Sequence, residues 1–283
     1  MSIVIHNTIE PLLSVEYSIA FQKMIWGYYA QHNRYFTWRN TDNPYHIIVS
    51  EIMLQQTQTD RVIEKYEQFL STFPTLKSLA SAKLKDVLIQ WQGLGYNRRG
   101  MYLHQSAREI MNSYGGIVPQ NPELLEKLPG IGYATARSIC AFAFNMPTVF
   151  IETNIRAVYL HTFFYQQENI HDKQLMPLIA QTVDAKNPRE WYYALMDYGV
   201  MLKKLHKNPG RKSKHHAVQS TFKGSDRQIR GGIIRLLIKQ QHTQKELLKC
   251  YEQEDPARVE AILAKMIQEK IITKREDLIY LPE

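Results

Sequence analysis

The chain contains very little cysteine. Cys140 and Cys250 are the only two among its 283 residues, and they lie far apart in the sequence. A disulfide framework needs several paired cysteines, and a thiolate metal cluster needs several at short spacing. The sequence therefore argues against both, and we expect no protein-bound metal.

Long apolar runs and strand-like patterns are also scarce. No run of eighteen apolar residues occurs, and the first residues lack the basic segment, apolar core and cleavage site of a secretory leader. Alternating β-branched residues are nearly absent from the body of the chain, which predicts an all-α fold. We expect a cytoplasmic monomer without a membrane partner, associated with the nucleoid if its source is bacterial.

Basic residues are present in excess. The chain carries 35 lysines and arginines against 27 acidic residues, which gives a formal charge of +8 and a pI near 9.3. This balance favours a polyanionic partner, and it favours nucleic acid over a membrane surface.

Apolar residues recur at helical spacing along most of the chain, separated by glycine and proline. The predicted helices cover 14–33, 45–70, 75–82, 84–90, 97–114, 122–127, 133–145, 154–164, 191–204, 227–240, 243–252 and 256–270. Short strands are predicted at 271–273 and 278–280, and with the last three helices they are typical of a winged-helix module. The predicted organisation is a helical lobe of 1–36 with 147–205, a six-helix lobe of 37–146, a basic loop or linker of 206–225, and the winged-helix-like module of 226–283.

The most informative stretch is residues 128–132, Leu-Pro-Gly-Ile-Gly, which predicts a tight hairpin turn between two helices. Gly130 and Gly132 permit backbone angles and a close approach that side chains would prevent. The amides at the start of the second helix then form an anion site suited to one DNA phosphate. An ordinary corner between two helices, with glycine as the C-cap, is the alternative.

Two glutamates occupy contrasting positions. Glu51 interrupts the apolar run 47–54, where desolvation would keep a carboxyl group partly protonated, as a general acid requires. A buried ion pair with Arg39 is the alternative. Glu152 stands at a predicted helix start, where the dipole favours a carboxylate and simple capping is the alternative. Glycosidic cleavage uses such a pair, in which one group protonates the leaving group and the other stabilises a cationic sugar or positions water.

Three side chains are candidates for displacing a base. Gln55 and Gln56 lie at the polar end of the helix segment that carries Glu51, and Tyr96 ends the loop 93–96. An enzyme that acts on a base must extrude it from the stack and fill the gap. A solvated helix end and a core tyrosine are the alternatives.

Together these residues resemble the helix-hairpin-helix DNA glycosylases and, within them, the MutY-type adenine glycosylases. The similarity keeps one order and spacing over roughly residues 20–202, in the segments 36–40, 43–45, 49–57, 91–96, 128–132 and 194–199. The resemblance implies a two-lobed, all-α helix-hairpin-helix glycosylase fold, here with the added winged-helix module. It also implies that the partner is double-stranded DNA holding a mismatched or damaged base.

The resemblance further implies roles for individual residues. Glu51 would protonate the adenine leaving group and activate water, Gln56 would wedge into the duplex, and Tyr96 would lie beside the opposite base. Glu152 occupies the place of the family's transition-state aspartate, and Asn154 matches the asparagine that supports it. The remaining expected DNA contacts are Gln55, Gly130, Gly132, Arg156, Lys214, His215, His216 and Arg227.

The sequence departs from the family pattern at four places. Glu152 is one methylene longer than the aspartate, and misplacement on that scale is costly. Ala134 stands where bifunctional relatives carry a lysine, and the family's alternative tyrosine is missing there too, which disfavours Schiff-base lyase chemistry. Residues 203–222 hold no cysteine, so we expect no iron–sulfur cluster and no cofactor other than a monovalent cation at the hairpin. Finally, the C-terminal domain that reads 8-oxoguanine in the family is not recognisable, and the winged-helix-like module stands in its place.

The basic run 211–216 is the segment that could replace the DNA-contacting loop of the cluster. A solvated linker is the alternative. Metal binding by His215 and His216 is rejected, because no acidic or thiol partner lies near them.

The expected activity is monofunctional hydrolysis of the N-glycosidic bond of a flipped purine, with adenine opposite 8-oxoguanine or guanine as the substrate. Hypoxanthine or another damaged base is the nearest alternative. A non-catalytic protein that binds DNA lesions is the alternative from another class, and a bifunctional lyase and a winged-helix regulator are further ones.

Overall fold

The structure is a computed structural model that describes residues 13–216 and 221–282. These residues form mostly helices, which confirms the predicted all-α class. The helices are α1 Val15–His32, α2 Pro44–Leu54, α3 Thr59–Thr72, α4 Leu76–Ser81, α5 Leu84–Gln90, α6 Arg98–Ser113, α7 Pro122–Leu125, α8 Tyr133–Phe144, α9 Thr153–Phe163, α10 Asp172–Thr182, α11 Pro188–Leu205, α12 Asp226–Lys239, α13 Gln244–Lys249 and α14 Pro256–Gln268. Short 3-10 helices cover Thr37–Arg39 and Pro209–Lys212, and the strands are β1 His242–Thr243, β2 Thr273–Arg275 and β3 Leu278–Tyr280.

The prediction of one long helix over 45–70 is wrong, because a turn separates α2 from α3. Gln56 has a φ of 53°, a left-handed conformation that an α-helix cannot contain. The N–H of Thr57 donates to the carbonyl of Leu54 at 3.3 Å, which closes the end of α2. The side chain of Arg99, far along the chain, donates to further carbonyls at this end. The break therefore comes from a tertiary interaction.

One helix, α10, was not predicted at all. It contains Pro177, which in sequence is typical of a helix boundary. Its apolar residues Leu175, Leu178 and Ile179 are nevertheless fully buried, and their burial holds the segment in a helix.

The described chain divides into two compact units. Unit 1 contains the described residues of 1–47, 120–126 and 131–218, and unit 2 contains those of 48–119, 127–130 and 219–283. This division differs from the four predicted segments, since α8 groups with unit 1 and the C-terminal helices share unit 2 with 48–119.

Unit 1 is built around α9, α11 and α1 and has an aromatic core. The ring of Phe21 lies 5.2–5.9 Å from the rings of Tyr159, Phe163 and Trp191. Aromatic pairs at such distances add specific geometry to the burial of a large apolar area. These rings fix the three helices against each other.

The core of unit 2 runs without interruption from its middle helices into the C-terminal module. Leu84, Leu88 and Met101 share one apolar cluster with Ile229, Ile233 and residues of α13, α14 and the sheet. The sheet is antiparallel in the order β1-β3-β2, with His242 and Lys274 both opposite Ile279. The predicted strand at 271–273 starts two residues later, and β1 was not predicted. The winged-helix assignment stays a prediction.

Within residues 13–216 and 221–282, no helix combines the length and the apolar character required to cross a membrane. The same residues contain no group of three or more His, Cys, Asp or Glu side chains placed to hold a metal ion.

Candidate functional site

Glu51 lies in the last turn of α2, between residues of the helix that are almost all buried. Its neighbours Val49, Ser50, Ile52 and Met53 are buried, whereas Glu51 itself is only half-buried. The helix thus anchors its backbone in the core of unit 2 and leaves the carboxyl group within reach of solvent. A carboxyl group on such a partly apolar, rigid support is suited to donate a proton to a ligand.

Arg99 holds the end of α2 in place. Its Nη1 donates to the carbonyls of Ile52 and Met53 at 2.9 Å each, and it also reaches the carbonyl of Gln55. Burial lowers the pKa of this guanidinium to about 10, which is still far enough above neutral pH to keep the group charged. A buried cation therefore caps the carbonyl end of the helix that carries Glu51.

The same guanidinium also binds the loop 93–96. Its Nη2 donates to Thr57 Oγ1 at 2.8 Å and to the carbonyls of Leu94 and Gly95 at 3.1 and 3.2 Å. Arg99 thereby ties the turn after α2 to the turn before α6. Sequence reasoning missed this residue, because nothing in the pattern separates a buried arginine at a helix start from its exposed neighbour Arg98.

Gln56 and Tyr96 occupy the tips of these two turns. Both have positive φ, 53° and 46°, which is uncommon for residues other than glycine and tends to occur where a side chain must project from a turn. Gln56 is exposed and Tyr96 is half-buried. Gln56 and Tyr96, two of the three side chains predicted to displace a base, thus lie in turns that Arg99 binds within unit 2.

The hairpin turn is held by unit 2 as well. Gln55 Nε2 donates to the carbonyl of Gly130 at 3.3 Å, and Ser106 Oγ donates to the carbonyl of Pro129 at 2.7 Å. Gly130 has a φ of 77°, and a Cβ there would lie 2.8 Å from the Cβ of Tyr102. Glycine is therefore required at position 130 on both grounds.

The unusual backbone angle expected of Gly132 is not observed, whereas its expected close approach to DNA stays a prediction. Its φ of −97° is accessible to any residue, and a Cβ built on it would meet nothing within 4 Å. It is exposed, it is the N-cap of α8, and it offers no side-chain acceptor to the amides of the first turn. Its lack of a side chain leaves the positive end of the α8 dipole open to an approaching anion.

The two hairpin helices are joined by ion pairs. Arg137 on α8 binds Glu123 at 3.2 Å and also binds Glu126, both at the α7 side of the hairpin. Its guanidinium lies 3.6 Å from the ring centroid of Tyr133, an exposed aromatic at the start of α8 that sequence reasoning overlooked. Leu125 and Leu128 are buried, as the anchoring role assigned to them requires.

Glu152 is the N-cap of α9, as its position predicted. Its Oε1 accepts from the amides of Asn154 and Ile155 at 2.7 and 2.8 Å. Its Oε2 accepts from Asn154 Nδ2 at 3.3 Å. The helix dipole and three N–H donors therefore stabilise the carboxylate and fix its direction.

Lys203 extends this arrangement by one further contact. Its Nζ donates to Asn154 Oδ1 at 2.8 Å, so that the carboxamide lies between the ammonium group and the carboxylate of Glu152. Burial lowers the pKa of Lys203, and the charge of Glu152 partly opposes that effect. Gly199, one helical turn earlier on α11, permits this approach, since a Cβ there would lie 2.4 Å from the Asn154 carbonyl oxygen.

The motif 194–199 also contains a structural ion cluster. Asp197 is buried and binds Arg34 at 2.6 Å and Arg39 at 2.8 and 2.9 Å. Burial by itself would raise the pKa of Asp197, but the two arginines lower it overall. Both terminal nitrogens of Arg39, the suggested structural partner of Glu51, are thus bound by Asp197.

The other predicted DNA contacts lie at separate places. Arg156 forms a two-point ion pair with Asp172, at 2.8 and 2.6 Å. Lys214, His215 and His216 are exposed beside the 3-10 helix Pro209–Lys212, which packs against α9. Their contact with DNA stays a prediction, although the segment up to residue 216 is a folded part of unit 1 and not a solvated linker.

Arg227, in the first turn of α12, contacts Tyr96 within unit 2. Its Nη1 donates to the Tyr96 hydroxyl at 3.0 Å, and its guanidinium carbon lies 5.1 Å from the centroid of the ring. Several of the predicted DNA contacts therefore lie in unit 2, among them Gln55, Gln56, Tyr96 and Arg227.

The thiols of this chain do not fit an iron–sulfur cluster. Burial raises the pKa of the Cys140 thiol to about 11, whereas a cluster ligand must be a thiolate. Cys250 is exposed and lies on the C-terminal module. The chain thus lacks the four thiolates that such a cluster takes, and its absence stays an expectation from the sequence.

Comparison with known proteins agrees with this geometry. Residues 49–183 match the model of the HhH-GPD superfamily of base excision DNA repair proteins, and the match includes Glu51, the hairpin and Glu152. Residues 49–183 belong to the HhH-GPD superfamily. The predicted superfamily is thereby confirmed.

The HhH-GPD region is similar to that of adenine DNA glycosylases. The chain is 33% identical over 190 residues to the adenine DNA glycosylase of Buchnera aphidicola subsp. Baizongia pistaciae, a match that covers 65% of this chain and 53% of the relative. It is 35% identical over 193 residues to the Rattus norvegicus adenine DNA glycosylase, covering 64% and 37%. The match thus spans about half or less of these relatives. These similarities confirm the predicted MutY-type resemblance.

A solved structure supports the fold. The structure of a thermostable thymine-DNA glycosylase matches with a TM-score of 0.62 and 25% identity, over 68% of this chain and 90% of that one. The helical arrangement of that glycosylase therefore extends over about two thirds of this chain.

Proposed function

We propose that this chain is a monofunctional DNA glycosylase that removes adenine paired with 8-oxoguanine or guanine and acts as a monomer on double-stranded DNA. The main support is the setting of Glu51, a half-buried residue flanked along α2 by buried residues, on a helix end that Arg99 caps. The similarity to adenine DNA glycosylases favours adenine among the purines.

The proposed binding step uses the hairpin and the two turns of unit 2. A phosphate is bound at the open start of α8, where Gly132 leaves the amides and the positive dipole accessible. The hairpin is also the place for a monovalent cation, if one is bound. Gln56 projects from its turn into the stack and occupies the gap that the extruded adenine leaves.

The proposed chemical step uses two carboxyl groups with different roles. Glu51 donates its proton to a ring nitrogen of adenine, the bond between C1′ and the base breaks, and its electron pair leaves with the base. The sugar then carries a positive charge, which the carboxylate of Glu152 stabilises. A water oxygen bonds to C1′, and the carboxylate of Glu51 accepts the proton that the water releases.

The geometry at Glu152 supports the second role. Because the two backbone amides bind Oε1, the direction of the carboxylate is fixed before substrate binds. Pre-organised charge of this kind stabilises a transition state without a reorganisation cost.

The product should be an abasic site in an intact strand. Ala134 stands at the position where bifunctional relatives have a lysine, so the chain lacks an amine for a Schiff base there. Strand cleavage without added alkali, or borohydride trapping of a covalent complex, would contradict this part of the proposal.

The test is a single-turnover assay on four duplexes that hold adenine opposite 8-oxoguanine, guanine or cytosine, or hypoxanthine opposite thymine. Products are scored with and without alkali. We expect alkali-dependent breaks that are fastest opposite 8-oxoguanine or guanine. Faster removal of hypoxanthine than of adenine would indicate that hypoxanthine is the substrate. Tight binding without an abasic product in any duplex would favour the non-catalytic lesion-binding alternative.

A further inference from the structure

The ring of Tyr96 lies close to two guanidinium groups. Arg99 is 5.5 Å and Arg227 5.1 Å from the ring centroid, measured to the guanidinium carbon. Arg99 also holds the backbone just before Tyr96 through the carbonyls of Leu94 and Gly95. Arg99 therefore holds the backbone next to this tyrosine, and a second residue holds its hydroxyl group.

The second constraint comes from the C-terminal module. Arg227 donates to the Tyr96 hydroxyl at 3.0 Å from the first turn of α12, more than a hundred residues later in the chain. The contact joins the turn predicted to meet DNA with a module for which the family resemblance gives no role.

The module is not a loosely attached segment. It shares an apolar cluster with Leu84 and Leu88 on α5 and with Met101 on α6. Glu269, after the end of α14, binds Arg98 on α6 at 2.8 Å and also binds Arg230 on α12. A shared core and a bridging carboxylate fix α12, and so the position from which Arg227 reaches Tyr96 is rigid.

Extrusion of a base leaves its partner unpaired, and the residues on projecting turns are the ones that can contact it. Positive charge beside Tyr96 favours a partner whose major-groove edge presents acceptors, such as O6 of a guanine-type base. It disfavours cytosine, whose exocyclic amino group is a donor at the same edge. The arrangement thus favours one class of opposite base.

We propose that the C-terminal module completes the surface that reads the opposite base, and that Arg227 acts through Tyr96 as the positioning residue that favours a guanine-type base over cytosine. This inference rests on the proposed function, since it presupposes that a base is flipped. It assigns to the module a contact with DNA and not with a protein partner.

The test compares Arg227→Met with Arg235→Met in the full chain. Arg235 is an exposed arginine on the same helix, so its loss changes the net charge equally and leaves Tyr96 untouched. Single-turnover excision of adenine is measured opposite 8-oxoguanine, guanine and cytosine. We expect Arg227→Met to reduce the preference for guanine-type bases over cytosine about tenfold, and Arg235→Met to leave it unchanged.

A second pair of variants separates positioning from folding. In a Tyr96→Phe background, which removes the hydroxyl, Arg227→Met should produce little further change in the preference. An unchanged preference in Arg227→Met would overturn the inference. So would an equal loss on all three duplexes, which would indicate a phosphate contact only.

Binding measurements test the preference for guanine-type bases over cytosine without requiring catalysis. Affinities are measured for duplexes in which an abasic-site analogue lies opposite 8-oxoguanine, guanine or cytosine. If the wild-type chain excises no adenine, the proposed function fails, yet the binding ratio of Arg227→Met against wild type still decides the inference about the module. A binding preference that the variant retains would contradict it.

Discussion

Replacement of Arg99 by methionine should destabilise unit 2 strongly. The variant loses hydrogen bonds of 2.8–3.2 Å to Thr57 and to the carbonyls of Ile52, Met53, Leu94 and Gly95, and several of these groups are buried. Removal of the charge also removes its desolvation cost, which offsets part of the loss. Breaking a buried, multiply bonded charge network typically costs about 3–5 kcal/mol, a large share of the 5–15 kcal/mol that stabilises a typical domain.

The neighbouring arginine provides a matched control. Arg98 pairs with Glu269 at 2.8 Å, but its side chain is 45% exposed, so Arg98→Met should cost only about 0.2–1 kcal/mol. Urea unfolding of both variants, followed by fluorescence and circular dichroism, gives the two values. If Arg99→Met costs no more than Arg98→Met, the two turns are not held by this guanidinium, and the account of why α2 ends is wrong.

Three further predictions concern Lys203, the two hairpin glycines and Asp197. Lys203→Met should lower the excision rate about tenfold, equivalent to one charge-assisted hydrogen bond, while the exposed control Lys204→Met leaves it unchanged in the same single-turnover assay. Gly130→Ala should destabilise the chain by about 2 kcal/mol in urea unfolding, because of its positive φ and the close contact, whereas Gly132→Ala should cost under about 0.5 kcal/mol. Burial would raise the pKa of Asp197, yet its arginine partners lower it overall, so its stabilisation is present above the ordinary aspartate pKa and is lost as the pH falls through the folded-state value. The melting temperature should therefore drop on acidification in the wild type and less steeply in Asp197→Asn, and equal slopes would refute the assignment.

Local sequence rules predicted the parts of the fold that depend on nearby residues. The helix starts at Ser14 and Glu152 agree with their caps, and each side chain accepts from backbone amides two or three residues later. The end of α2 was missed because Gln55 and Gln56 are not helix breakers in themselves. The break is made by Arg99, which lies more than forty residues later, and no local pattern contains that information.

The candidate site was predictable to a similar extent. The sequence motifs pointed to Glu51, Tyr96 and the hairpin, since these lie in short segments with a recognisable order. The contacts that fix them were not predictable, because Lys203 reaches Asn154 from another helix and Arg227 reaches Tyr96 from another module. Such contacts require the tertiary arrangement, and a motif shows only which groups are available.

The most direct test of the central claim separates binding from chemistry at Glu51. The affinity and the single-turnover rate of Glu51→Gln are measured on one duplex that holds adenine opposite 8-oxoguanine, beside the wild type. We predict that binding changes by less than about threefold, whereas excision falls at least a thousandfold, because the amide keeps the shape of the side chain but cannot supply the proton. Excision at a rate near that of the wild type would contradict the assignment of Glu51 as the acid.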